Sequence, residues 1–332
     1  MNLRTFFHLL SFLTFRRFIN AVKIYFSFIF SYITKTSTCY GMPVAISVEP
    51  TTSCNLHCAE CMTGQDLISR PKGEMKLELF QKIIDDVHNN IIYLSLYFQG
   101  EPLLCNNLFE MIIYAKRKNI FTEISTNANI IDDYTADKIV RSKLDSIIIS
   151  IDGTSEDAYT AYRKGGSLSK VLEGITNINN SKKELKSKTP FITLQFLVTQ
   201  KNEHQIDEIK RLSKKLNADK LTIKTMQIIN TKNAENTLPS SVQYRRYNKD
   251  EVGNFVLSKQ KGNHCFRMWS RCVITWDGKV LPCCFDKNAN YFFGNITDID
   301  FNTIWKSTEY NNFRKQILAD RKKINICNDC SE

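Results

Sequence analysis

The sequence predicts a parallel α/β fold: a partial (β/α)6 barrel of the TIM type, followed by a small C-terminal α+β module. Three observations predict it. Short β-branched and aromatic runs recur from residue 44. Longer amphipathic stretches separate them. The pattern changes after residue 262, where hairpin and cysteine motifs take over. Alternating strand and helix units imply a parallel sheet with right-handed crossovers, and six such units fall short of the eight of a closed barrel.

The predicted strands are 44–48, 91–98, 121–125, 146–151, 191–198 and 220–224, of ordinary strand length and rich in Val, Ile, Phe and Tyr. Helical periodicity marks 76–89, 107–118, 132–142, 168–181 and 203–216 between them. Residues 228–262 are polar and aperiodic, with Pro239 and the run Asn230–Asn236, and read as a linker. A hairpin follows at 272–283, where Asp277-Gly278 is a turn pair between β-rich arms, then a helix near 300–318. The expected organisation is an N-terminal helical segment at 1–40, a core at 41–228, a linker at 229–262 and a module at 263–332.

The N-terminal segment is rich in Phe, Ile and Leu. Its longest uncharged run near its end, 24–34, is eleven residues, too short to span a bilayer, and no small-residue cleavage site follows it. Arg16, Asn20, Lys23, Ser27, Ser31 and Thr34 recur every three or four positions and give a helix with a narrow polar stripe and a broad apolar face. Such a helix either docks on the protein or lies in a membrane interface.

The chain has 332 residues, 42% hydrophobic and 24% charged, which suits a globular enzyme rather than a disordered chain. Its net charge of +11 comes from cations scattered along helical stretches such as 181–188, which read as solvated faces; no nucleic-acid partner is expected. Nine of the eleven cysteines fall into groups: Cys54/Cys58/Cys61, Cys265/Cys272/Cys283/Cys284 and Cys327/Cys330, with Cys39 and Cys105 apart. A disulfide framework belongs to small secreted domains, so grouped cysteines here point to metal.

Cys54, Cys58 and Cys61 follow the first predicted strand with three and then two residues between them. Thiolates suit iron–sulfur clusters and zinc. Most [4Fe–4S] clusters take four cysteines, so three local ones would leave an iron open. A structural zinc site with His57 is the alternative, although His57 adjoins Cys58.

CxxxCxxC in this place resembles the signature of the radical S-adenosylmethionine (SAM) superfamily, and further motifs agree. Gln99-Gly100-Glu101-Pro102, after strand two, resembles the family's GGEP motif with Gln for the first Gly. Ser125 and Asn127 follow strand three, Ser150 and Asp152 follow strand four, Arg163 comes thirteen positions after Ser150, and Val198–Asn202 follows strand five. The resemblance implies that the Gln99–Pro102 turn holds the methionyl amino group, and that Ser150 and Arg163 bind the ribose and carboxylate of SAM. It implies a [4Fe–4S] cluster on Cys54, Cys58 and Cys61, reductive cleavage of SAM to a 5′-deoxyadenosyl radical, and hydrogen abstraction from a substrate. The family often has an aromatic residue before the third cysteine; here Glu60 stands there.

Cys265, Cys283, Cys327 and Cys330, with Trp276-Asp277-Gly278 and Gly294-Asn295, resemble the SPASM/twitch module in its form with one auxiliary [4Fe–4S] cluster. A zinc ribbon is the alternative, and Cys272 and Cys284 compete as ligands. Asp286 or Asp277 is either a proton acceptor for substrate or a turn residue.

Three functions follow. The first is a radical SAM maturase acting on a peptide or protein side chain. The second is an oxidase of a small molecule such as a sugar, cyclitol or lipid-linked precursor. The third is a non-catalytic metal-binding protein associated with nucleic acid. The first two call for a flavodoxin- or ferredoxin-type electron donor and a reducing cytoplasm, with peripheral membrane contact through residues 1–36 where the apolar helix face is free.

Overall fold

A computed structural model describes residues 3–229, 234–259 and 262–331. The strands, in chain order, are β1 (Ala45–Val48), β2 (Tyr93–Ser95), β3 (Phe121–Thr126), β4 (Ser146–Ser150), β5 (Phe191–Val198), β6 (Lys220–Thr225), β7 (Tyr247–Lys249), β8 (Phe255–Leu257), β9 (Arg271–Ile274) and β10 (Val280–Leu281). The helices are α1 (Leu3–Leu10), α2 (Phe15–Thr34), α3 (Leu77–Val87), α4 (Leu108–Arg117), α5 (Asp133–Arg141), α6 (Glu156–Tyr162), α7 (Leu168–Glu184), α8 (Ile206–Lys215), α9 (Ala234–Thr237), α10 (Arg267–Ser270), α11 (Phe301–Trp305), α12 (Thr308–Asp320) and α13 (Asn325–Asn328).

These elements fall into two compact units. One comprises Cys54–Ile68 and Glu123–Lys259. Its sheet runs β3-β4-β5-β6, every neighbour parallel. Strand alternation sorts its side chains. Ile124, Ile147, Ile149, Ile192, Leu194 and Phe196 are buried on one face, while Glu123, Ser125, Ile148, Thr193, Gln195 and Leu197 stay half-buried on the other. Each fully buried aliphatic side chain contributes about 1.5–3 kcal/mol of burial. Asp132 caps α5 by accepting from Thr135 N, and Ser155 caps α6 by accepting from Ala158 N.

The other unit comprises Leu3–Ser53, Ser69–Thr122 and Gln260–Glu332. Its strands run β10-β9-β1-β2; β9 and β2 flank β1 in parallel, and β10 closes an antiparallel hairpin with β9. The Asp277-Gly278 turn predicted from sequence closes that hairpin, with Gly278 at φ +90°. Trp269 and Trp305, both fully buried, donate their indole N–H groups to the carbonyls of Thr38 and Gly41 at 2.8 and 2.9 Å. Arg314 lies under the Trp305 and Tyr310 rings, 4.4 and 4.1 Å from their centroids, and donates to the carbonyls of Met268 and Trp305.

Two expectations change. Within the expected linker, residues 234–259 are folded: they hold α9 and the β7–β8 hairpin, and Leu238 and Tyr247 are buried against Leu56, Cys58 and Met226. The apolar residues of this stretch are too few for a visible period, yet these find partners. Residues 230–233, 260 and 261 lie outside the described residues. The expected helix at 300–318 is two helices, because Asp300 and Ser307 each cap a new start by accepting from the backbone three residues on. Helix α6 was not predicted.

Candidate iron–sulfur and cofactor site

In the first unit the Cys54–Cys61 loop is fixed by its backbone. His57 N donates to Lys164 O at 2.9 Å, Ala59 N to Tyr162 O at 3.2 Å, and Asn127 Nδ2 to Asn55 Oδ1 at 2.8 Å. Asn127, read as a SAM contact, is thus engaged in holding this loop, and its Oδ1 accepts from Asn129 N. Cys58 is buried; Cys54 and Cys61 are half-buried. Burial pushes the Cys58 thiol up and the Arg163 guanidinium works against it.

Asp152 is fully buried at the end of β4. Its carboxylate accepts from Arg163 Nε and from Leu197 N, both at 2.6 Å, and its carbonyl accepts from Asn202 Nδ2 at 2.9 Å. Arg163 Nη1 then reaches Cys58 Sγ at 3.6 Å. Burial alone would lower the Arg163 guanidinium; Asp152, Cys58 and Tyr162 outweigh it and raise it well above its ordinary value. A carboxylate–guanidinium–thiol relay therefore joins strands β4 and β5 to the cysteine loop. Ser150 is buried and Ser125 half-buried at neighbouring strand ends. Glu60 accepts from Ile229 N at 2.6 Å, so the position before the third cysteine anchors the segment after β6.

In the second unit Gly100 has φ +76°, and a Cβ there would fall 2.4 Å from Thr51 O. Only glycine fits so close a backbone approach. Glu101 N donates to Ser53 O at 2.7 Å, and Pro102 opens a single 3-10 turn that the Glu101 carboxylate caps. Gln99 is half-buried beside them. Glu49 and Arg70, missed in the sequence, form a buried bidentate pair at 2.8 and 2.5 Å at the end of β1; Glu49 also accepts from Trp276 N and Arg70 donates to Lys287 O. Burial raises the Glu49 carboxyl, and Arg70 opposes it. Only the general need of a buried Glu for a cation would have signalled the pair.

The same unit gathers Cys265, Cys283, Cys327 and Cys330 round one cavity walled by Met268, Phe285, Phe313, Ile317 and Ile326. Burial pushes the Cys327 thiol up to about 11, with Arg321 pulling the other way; Arg321 donates to the His264 carbonyl. Cys272 is fully buried on β9 and lines a different cavity, as does the exposed Cys284. That second cavity, about 180 Å³, also carries Ser47, Ser95 and Arg271, and it shares Cys283 and Arg267 with the first. Asp286 is buried and accepts from Asn290 N and Tyr291 N, and Asp277 accepts from Thr275 Oγ1 and pairs with Lys279, so both act as turn residues in this structure.

The donor chemistry suits clusters. Soft thiols, three in one loop and four round a largely apolar cavity that Arg267 and Arg321 also line, fit iron–sulfur clusters.

Comparison with known proteins agrees. The model of the radical SAM superfamily matches residues 48–218, and that of an iron-sulfur cluster-binding domain, SPASM, matches residues 265–331. The tungsten-containing aldehyde ferredoxin oxidoreductase cofactor-modifying protein of Pyrococcus furiosus is 25% identical over 86% of this chain and 86% of its own. The mycofactocin maturase MftC of Mycolicibacterium smegmatis is 23% identical over 87% of this chain and 75% of its own. Among solved structures, SuiB of Streptococcus suis bound to its precursor peptide SuiA superposes with a TM-score of 0.62 at 16% identity, covering 82% of this chain and 67% of that one. These likenesses give the fold: a partial (β/α)6 barrel with a small C-terminal module.

Proposed function

Because the chain belongs to the radical SAM superfamily, and is thus an enzyme of SAM and [4Fe–4S] clusters, we propose that it is an oxidative maturase acting on a peptide or protein side chain. The observation that carries this reading is the pairing of a three-thiol loop with a separate four-thiol cavity. Cys54, Cys58 and Cys61 hold the first cluster and leave one iron for SAM. Cys265, Cys283, Cys327 and Cys330 hold the auxiliary cluster, whose full ligation suits it to accept an electron rather than substrate. When bound, cluster and SAM together supply a carbon-centred oxidant able to take hydrogen from an unactivated C–H bond.

The chain's own residues position and shield that chemistry. The Gln99–Pro102 turn meets the methionyl amino group, and Ser150 the ribose. Ser125 lines the half-buried face of the sheet. Asp152 holds Arg163 so that one nitrogen remains on the cysteine loop and the rest of the fork is available to a carboxylate. Arg321 offsets the negative charge of a four-thiolate cluster. The name of the mycofactocin maturase supports the maturase reading, as does the precursor peptide in the SuiB structure. A flavodoxin- or ferredoxin-type donor supplies the electron, in a reducing cytoplasm.

A second reading, oxidation of an anionic small molecule such as a lipid-linked precursor, draws on the cavity lined by Arg267 and Arg271. Anaerobic incubation with SAM, dithionite and peptides encoded in the same operon, followed by mass spectrometry, separates the two. A peptide about 2 Da lighter, with 5′-deoxyadenosine formed, supports the maturase. 5′-Deoxyadenosine released only with a sugar phosphate or lipid-linked sugar supports the second. No 5′-deoxyadenosine under any condition overturns both.

A further inference from the structure

Helix α2 is built inside out for a protein in water. The side chains it buries are Arg17, Asn20, Ile24, Ser27 and Ser31, spaced three and four apart along one stripe. Four of the five are polar, and each has its partners. Arg17 donates to the carbonyls of Phe12, His88, Lys118 and Asn119. Asn20 bonds both sides of Met42, while Ser27 and Ser31 accept from Tyr40 N and Thr38 N. Of the polar stripe read from the sequence, Asn20, Ser27 and Ser31 are the residues that dock on the protein. Arg16, Lys23 and Thr34 are instead exposed.

The opposite side is apolar and open. Phe15 is 79% exposed, Phe26 64% and Ile33 71%, with Phe18, Val22 and Phe30 between them, and α1 adds Leu3, Phe6 and Phe7. Continuous apolar exposure on this scale marks an interaction surface. Charge names the partner. The first 48 residues hold Arg4, Arg16, Arg17, Lys23 and Lys35 and no Asp or Glu. Four of these cations are exposed beside the apolar face. An aromatic-rich apolar face on helices that carry exposed cations and no acidic residue complements the interface of an anionic bilayer; a second copy of the same face would set cation against cation. Among the described residues no helix is long and apolar enough to cross a membrane.

We propose that α1 and α2 form an in-plane anchor that seats the enzyme on an anionic lipid surface, fixed to the protein by its polar stripe and to the membrane by its apolar face. This stands independently of the substrate reading. The test is flotation of the full-length protein with phosphatidylcholine vesicles, with and without about 30% phosphatidylglycerol. The bound fraction should rise roughly tenfold with the anionic lipid and fall with added salt. Phe15→Glu/Phe26→Glu/Ile33→Glu should lower it at least about tenfold with iron content unchanged, since these side chains touch solvent, and Arg16→Gln/Lys23→Gln/Lys35→Gln should lower it several-fold. Phe26→Trp reads insertion in a nearly native chain: the indole it adds should shift its emission to the blue when anionic vesicles are added, a change that the wild-type chain does not show. Equal partitioning of wild type and the glutamate variant would overturn the proposal, as would Phe26→Trp and wild-type chains whose emission responds alike to vesicles. So would a dimer in sedimentation velocity that the glutamate variant splits while vesicles bind neither.

Discussion

The two thiol sites differ in the number of their thiols and in how charged groups meet them. Cys54, Cys58 and Cys61 lie on a loop fastened by backbone hydrogen bonds to the C-terminal end of α6 and by an amide pair to Asn127 after β3, with a guanidinium on Cys58 and Leu56, Met226 and Leu238 packed round the thiols. Cys265, Cys283, Cys327 and Cys330 close round a largely apolar cavity that Arg267 and Arg321 also line. Both thiol groups pack against apolar side chains; what separates them is three thiols against four, and the buried Asp152–Arg163 pair that reaches Cys58. A site's chemistry is thus set by the donors it withholds as much as by those it supplies.

Four substitutions break or sharpen that contrast. The largest effect belongs to Cys54→Ala/Cys58→Ala/Cys61→Ala. After anaerobic reconstitution it should retain about half the iron, about four atoms per chain instead of eight, and form no detectable 5′-deoxyadenosine. Loss of all iron would mean that the two sites are not independent. Next is Asp152→Asn, which leaves the Arg163 guanidinium without its buried carboxylate. It should lower stability by about 3–5 kcal/mol, seen as a fall in Tm. Gly100→Ala forces a Cβ against Thr51 O and strains a left-handed residue. It should weaken SAM binding about tenfold in equilibrium dialysis with iron content unchanged. The smallest effect belongs to Cys284→Ser: an exposed thiol outside the four-thiol cavity should leave iron count and SAM cleavage as in wild type.

The strands were legible because each is a short apolar run between amphipathic stretches; β5 runs 191–198 as predicted. The cysteine groups were legible because ligand spacing is local. What sequence could not resolve was long-range. Cys272 and Cys284 compete with Cys265 and Cys283 in the sequence; in the fold they line a second cavity, which Cys283 shares, and they are absent from the lining of the four-thiol one. Glu49 finds Arg70 twenty-one positions on, and no local pattern announces that. Asp286 has the composition of a proton acceptor, yet its carboxylate holds two backbone amides. Helix α2 was legible in its period alone: a period does not say which face turns inward, and the polar one does.

The central claim is that the Cys54/Cys58/Cys61 cluster has one iron without a protein thiolate, and that SAM binds it through its amino and carboxylate groups. The direct test is electron–nuclear double resonance of the reduced, reconstituted enzyme with SAM carrying ¹⁵N and ¹⁷O at those groups. Strong hyperfine coupling to both labels, absent from Cys54→Ala/Cys58→Ala/Cys61→Ala, is the predicted result. A reduced cluster signal that shows no coupling to either label would contradict it.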